Sequence, residues 1–141
     1  MGSIIEERIE SKRSSSFAVA KKVVGYGISF CFAFLFIAYL AICFSIRSSV
    51  KEMSAEATKQ YPGDRIEALI TYANSENHSL RQRNRAVWAL GQIGDERALA
   101  TLEKSYTGGP CDHDNSLCQR ELQKAIKLCK GGLNATVWLP R

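Results

Sequence analysis

The chain has 141 residues and a formal charge of +5, from 19 basic against 14 acidic side chains. That excess is too small, and too evenly spread between the two ends, to point to nucleic acid. The length outside one long apolar run allows a single small domain whose core is marginal by surface-to-volume scaling.

Residues 1–22 form a polar tail carrying Arg8, Lys12, Arg13, Lys21 and Lys22 against Glu6, Glu7 and Glu10. Ile4, Ile5 and Ile9 can make a short amphipathic turn, but the composition favours a disordered cytoplasmic tail. Residues 23–46 then run without one charged side chain. A bilayer core about 30 Å thick needs roughly 20 apolar residues at about 1.5 Å per residue, so this segment suffices for a transmembrane helix. A buried core helix of this length without a polar break is uncommon. A secretory signal has a shorter apolar region of about 7–15 residues. Ala41-Ile42-Cys43 also makes a poor cleavage site, and bulky Ile42 is wrong before a lipidated cysteine. The run reads as an uncleaved, single-pass anchor in the cell membrane. Lys21 and Lys22 at its edge place the N-terminus in the cytoplasm and the C-terminal domain outside. Gly25, Ser29 and Ala33 recur every four residues, a small-residue series suited to packing on another membrane helix. The run has no ionisable group, which argues against an ion or proton pathway within it.

Residues 47–63 read as a helical stalk or linker, thin in apolar positions and broken at Tyr61-Pro62-Gly63. From residue 64 to residue 130 the pattern becomes that of short amphipathic helices. Asp64 caps a helix with Ile66, Leu69, Ile70 and Ala73 on one stripe. Ser79 opens a second, with Leu80, Arg83, Ala86, Val87 and Leu90 on one face and Gly91 and Gly94 at its exit. Asp95 caps a third, with Ala98, Leu99, Leu102 and Tyr106 inward, ending at Thr107-Gly108-Gly109-Pro110. Asn115 or Ser116 opens a fourth, with Cys118, Leu122, Ala125, Ile126 and Cys129 as its stripe and Gly131-Gly132 as its stop. Residues 131–141 form a C-terminal tail with Val137-Trp138-Leu139.

The helices repeat. Ile66, Ile70 and Ala73 align with Ala98, Leu102 and Ser105, and Ala86, Val87 and Leu90 align with Ala125, Ile126 and Cys129. The second spacing is longer by the loop that holds Cys111. Two helix–turn–helix units result.

The segment from Arg83 to Leu99 resembles a HEAT repeat of the short bacterial type first described in phycobilin lyases. The resemblance rests on Arg83 opening the helix, Ala89-Leu90-Gly91, Ile93-Gly94-Asp95, and Ala98-Leu99. It is specific over Leu80 to Tyr106 and covers none of the first 60 residues. Together with the apolar run it gives an all-α fold as the expectation: one N-terminal transmembrane helix, read from the run itself, followed by a short α-solenoid of about two HEAT-like hairpins, as the resemblance implies. It also implies protein binding on the face of stacked helices. Ala86 and Ala89 allow close helix approach, Gly91 the tight exit, and Asp95 the next cap; none of these is a catalytic residue type in a catalytic setting.

Five cysteines divide two and three. Cys31 and Cys43 lie in the apolar run, where cysteine acts as a small apolar residue. Cys111, Cys118 and Cys129 lie in the domain. Cys118 and Cys129 are about 16 Å apart along one helix at about 1.5 Å per residue, beyond disulfide reach. A Cys111–Cys118 disulfide is expected if the domain is outside, tying the inserted loop to the last helix. Cys111–Cys129 and free thiols stay open. A zinc reading of Cys111, His113 and Cys118 with an aspartate fits no standard spacing, so no metal and no cofactor is expected. His78 and His113 sit in polar loops without the context of a nucleophilic pair. Arg81 and Arg85 can face an acidic partner beside one structural arginine, and Trp138 can anchor on a partner or the membrane surface.

These features favour a protein that is not an enzyme. It would be a membrane-anchored helical-repeat interaction module, an accessory or assembly subunit of a larger membrane complex. Its partners would be the other subunits and the lipid bilayer, and not nucleic acid. A lyase-like chaperone handling a tetrapyrrole chromophore, by analogy of fold, and a secreted domain freed by signal cleavage are the alternatives.

Overall fold

The helices that follow Asp64 and Ser79 begin where a short polar side chain takes up their first free N–H groups, and the second of them ends where a glycine turns the chain. A computed structural model describes the backbone of residues 2–112 and 114–134, and side chains from Tyr26 onward within those limits. All regular structure among the described residues is helical. The chain divides into two units, residues 1–41 and 42–141.

Helix α1 runs from Gly2 to Gln60, 59 residues without a proline. The tail of residues 1–22, expected to be disordered, is thus helical from Gly2 onward. Nothing in its sequence breaks a ladder that the apolar run propagates, and adding a residue to an existing helix avoids the cost of nucleation. In the first unit the apolar stretch shows its large side chains: Tyr26, Phe30, Phe32 and Phe34 are 64–75% exposed.

The second unit begins with the last turns of α1. Residues 47–60, expected to be a stalk, are part of the domain: Met53 and Ala57 are fully buried in its core. Helix α1 ends before Pro62, and Gly63 turns the chain at φ +110°. Helix α2 (Arg65–Asn74) starts at Asp64, whose carboxylate accepts from the N–H groups of Ile66 and Glu67 while Glu67 returns a bond to the Asp64 N–H. Helix α3 (Leu80–Ile93) starts with the same reciprocal cap, made by Ser79 and Gln82. It ends at Gly94, in the left-handed conformation at φ 69°. Asp95 then caps a short 3₁₀ turn, Glu96–Ala98, that leads into α4 (Leu99–Ser105).

Helix α5 (Gln119–Cys129) starts later than the Asn115 or Ser116 expected from the sequence. The side chain of Asp112 takes the N–H groups of Asp114 and Asn115, and its carbonyl takes that of Ser116. These local bonds tie Asp114, Asn115 and Ser116 to Asp112 in place of a helical ladder, so the helix does not begin there.

The helices pair as two hairpins, α2 with α3 and α4 with α5, and α3 packs on α5. Ile66, Leu69, Tyr72, Val87, Leu90, Leu102 and Leu122 fill the centre, together with Ala68, Ala86, Ala89, Ala98 and Ala125. Gly91 has a different role from the exit turn expected of it. It lies inside α3, and a Cβ there would stand 2.7 Å from Ala125 Cα and 2.9 Å from Ala125 Cβ. The backbones of α3 and α5 come together at this point because neither carries more than a methyl group.

Helix propensity alone would make Gly91→Ala stabilising by about 0.8–1 kcal/mol, but the new methyl meets backbone and forces overpacking worth about 1–3 kcal/mol. We expect a net loss of stability, read as a lower unfolding midpoint in detergent followed by tryptophan fluorescence; a raised midpoint would contradict the close approach.

Candidate functional site

Three arginines of α3 lie at alternate positions and serve different ends. Arg83 folds inward and donates from Nε to the Ala73 carbonyl at 2.8 Å, satisfying one of the free carbonyls at the end of α2. Arg81 and Arg85 are exposed. Arg85 stands 3.9 Å from Glu52 on the last part of α1, a loose surface pair. Ser29 and Ala33 are exposed on α1. Gly25 lies before the described side chains, and Trp138 outside the described residues, as does His113.

His78 is not the solvated loop residue its sequence context suggests. Its ring stacks on Tyr72 with centroids 3.7 Å apart and planes at 4°, and its Nε2 is 3.0 Å from the Tyr61 hydroxyl. Tyr72 in turn donates to Glu56 at 2.6 Å. Burial, with the adjacent Glu56 carboxylate, pushes the Tyr72 hydroxyl up to about 12. This chain of contacts closes the α1–α2 corner against the α2–α3 loop. It uses aromatic residues 17 and six positions apart, a spacing with no signature in a single sequence.

Arg97 joins the starts of two hairpins. It donates to Asp64 Oδ2 at 2.7 Å and to both oxygens of Asp95 at 3.2 and 3.3 Å from Nε, with Nη2 at 3.1 Å from Oδ2. Asp64 is held below the usual carboxylate range by the Glu67 N–H and then by Arg97, and Asp95 by the Arg97 side chain first. The guanidinium is held protonated by the two carboxylates.

The loop after α4 is organised by two amides that the sequence does not mark. Buried Gln119 accepts from the Thr107 N–H at 2.7 Å and donates to the carbonyls of Leu117 and Ser105. Asn84 of α3 accepts from the Cys118 N–H at 2.9 Å. The loop thereby lays Cys111 on the N-terminus of α5, where its sulfur accepts from the Arg120 N–H at 3.3 Å.

The expected Cys111–Cys118 disulfide is not formed: both are free thiols, with sulfurs 2.6 Å apart, against about 2.05 Å for a bond. The loop closes far enough to bring the two groups side by side without joining them. The Cys118 thiol, and after it the Arg120 N–H, hold Cys111 below the usual thiol range. Cys129 is set apart from both. It is buried, donates to the Leu90 carbonyl at 3.7 Å, and is pushed up to about 11 by burial. Among the described residues no three His, Cys, Asp or Glu side chains converge on a position for a metal ion.

Among the described residues, a hollow of about 390 Å³ runs between α3 and α5 over Gly91, with Trp88, Gln92, Lys124, Leu128 and Leu133 at its walls. Another, of about 440 Å³ and of mixed polar and apolar lining, has Thr107, Pro110 and Leu117 on one wall and Leu80 and Arg83 opposite.

Residues 82–107 match the family described as PBS lyase HEAT-like repeat. This segment is similar to a HEAT-like repeat. It takes in nearly all of α3, the Gly94–Asp95 turn and α4, and with them Arg83, the Asp95 cap and Arg97. No curated protein and no solved structure compared with the chain matches it. Arg83, Asp95 and Arg97 of this segment serve capping and the joining of hairpins, and HEAT-like repeats in general mediate contact between proteins through stacked-helix faces.

The depressed carboxylates contribute stability that is complete above the ordinary carboxylate pKa of about 3.9 and is lost as pH falls below it through their folded values. Acid titration of the unfolding midpoint should therefore show a fall below about pH 4 that is reduced in Arg97→Met, whose aspartates lose their cation. An unchanged acid limb in that variant would show that Arg97 does not set it.

Proposed function

We propose that this protein is a single-pass membrane protein that holds a HEAT-like interaction module at the outer surface of the cell membrane, as an accessory or assembly subunit of a larger complex. The observation that carries the reading is the apolar part of α1. Among the described residues one helix is long and apolar enough to cross a membrane, and its most apolar window is only 6% buried. Ten large side chains from Tyr26 to Phe44, six of them aromatic, are more than half exposed. Each would gain about 1.5–3 kcal/mol on leaving water, so together they outweigh the 5–15 kcal/mol net stability of a whole domain. Lipid, or the helices of partner subunits within lipid, is the environment that removes this cost.

The orientation rests on Lys21 and Lys22 at the edge of the run, which favour a cytoplasmic N-terminus. Ser29 and Ala33, following Gly25, offer a surface for close packing on a neighbouring membrane helix. Arg81 and Arg85 present charge on the module's surface toward acidic groups of a partner, with Trp138 as a further anchor. HEAT-like repeats mediate protein–protein contact through such stacked-helix faces.

The chain should stay with membranes through alkaline washing, and protease added outside intact cells should remove the module while sparing the N-terminus. In mild detergent it should copurify with partner subunits, and Arg81→Glu should weaken that association by about tenfold without lowering the unfolding midpoint, the scale of a lost interface charge pair. Recovery as a lone monomer from several mild detergents would overturn the subunit reading.

A further inference from the structure

The module's one unusual cluster is the pair of thiols at the start of α5. Three features distinguish its members from the other cysteines and from one another. Cys111 and Cys118 have sulfurs 2.6 Å apart, so a bond between them needs a shift of only about half an ångström. Cys111 is partly exposed, while Cys118 is 5% exposed. Cys111 also receives a backbone N–H from Arg120 at the N-terminal turn of an 11-residue helix, an arrangement that favours the thiolate. Cys118 is the N-cap of that helix, yet its own sulfur accepts no capping bond; its N–H is fixed by Asn84.

We infer that Cys111 and Cys118 form a thiol–disulfide exchange site, with Cys111 the attacking sulfur, Cys118 the resolving one, and a small aliphatic disulfide the reactant. In the first step the Cys111 thiolate attacks one sulfur of the disulfide R–S–S–R. A Cys111–S–S–R bond forms, the S–S bond of the reactant breaks, and one RS⁻ leaves and takes a proton. In the second step Cys118 loses its proton to water and attacks the Cys111 sulfur, expelling the second RS⁻, which is also protonated. The two protein thiols lose two electrons and two protons in total, and the reactant gains them as two R–SH. The reverse sequence, with excess R–SH, restores the dithiol.

The exposure pattern sets the order. A reactant in solution reaches Cys111 but not the buried Cys118, whereas Cys118 reaches a mixed disulfide on Cys111 without leaving its place. Cys129 cannot substitute for either, because it is buried against the Leu90 carbonyl with its thiol held neutral. The loop from Thr107 to Leu117 that carries Cys111 also forms one wall of the hollow opposite Leu80 and Arg83. Oxidation would fasten that wall covalently to the start of α5, and reduction would leave it held by hydrogen bonds, those of Gln119, Asn84 and the Arg120 N–H among them.

The test uses the full chain in mild detergent with oxidised glutathione as the probe. One tryptic peptide, Ser105 to Arg120, carries both cysteines. In the native chain that peptide should become lighter by two hydrogens, and dithiothreitol should reverse the change. In Cys118→Ser, glutathione should remain attached at Cys111. In Cys111→Ser, Cys118 should stay unmodified over the same time. Equal adduct formation at Cys118 in Cys111→Ser, bonding of Cys111 to Cys129, or no change in the native peptide would each overturn the assignment. A second measurement needs no variant: during brief iodoacetamide treatment of the native chain, Cys111 should be alkylated at least about tenfold faster than Cys118 and Cys129, as expected for an accessible thiol of lowered pKa. Comparable rates at the three sulfurs would overturn it as well.

Discussion

The α3–α5 approach at Gly91 and Ala125 constrains the rest of the domain. Interhelical distances of 8–10 Å depend on what stands at the point of contact, and here it is a hydrogen atom against a methyl group. With the backbones this close, Leu90, Ala86 and Val87 can reach Leu122, Ala125 and Cys129 in one continuous layer. A solenoid this short has few layers to share its core between, since each unit covers only its neighbours. Additional cover comes from the last turns of α1, which contribute Met53 and Ala57, and from the Tyr61–His78–Tyr72–Glu56 corner that fixes them. The end of the long helix thereby doubles as a cap on the first hairpin.

Close packing at one point leaves the ends of the helices to be satisfied separately, and polar side chains do this across element boundaries. Arg83 serves α2 from α3, Asn84 serves α5 from α3, Arg97 joins the start of α2 to that of the 3₁₀ turn, and Lys130 meets Glu103 at 2.6 Å between α5 and α4. The exposed ion pairs among these contribute little individually. The side-chain bonds to backbone matter more, because each removes an unpaired group from a partly buried site. Asn84 and Gln119 also set the path of the loop after α4, and so the position of Cys111 next to Cys118. The chemistry proposed for that pair depends on fold residues that carry no chemistry of their own.

The two ends of α1 illustrate how one regular element can hold two environments. From Tyr26 to Phe44 its large side chains face outward, as suits an apolar surrounding, while Met53 and Ala57 face inward to a protein core. Composition changes along the helix without any break in its hydrogen-bond ladder, since charge and hydropathy act on side chains and the ladder is made by the backbone.

The sequence by itself determined where α2 and α3 start, that Asp95 caps the turn into α4, and which stretch is apolar enough to leave water. These are short-range properties: Asp64, Ser79 and Asp95 act within three residues, Pro62 and Gly94 stop helices locally, and the charge-free run is visible to simple inspection. The internal repeat followed from the same periodicity, while the resemblance to a HEAT repeat rested on particular residues, Ala89-Leu90-Gly91 and Ile93-Gly94-Asp95 among them. Only the tertiary structure decided which residues meet. It moved Gly91 from an exit turn to a helix contact, Met53 and Ala57 from a stalk to the core, and His78 from solvent to the face of Tyr72. It delayed α5 because Asp112 holds a competing turn, and it brought Cys111 beside Cys118 as a free thiol. Each of these depends on groups distant in sequence or on competition between alternative hydrogen bonds, and a pattern of residue types along the chain encodes neither the distance nor the winner.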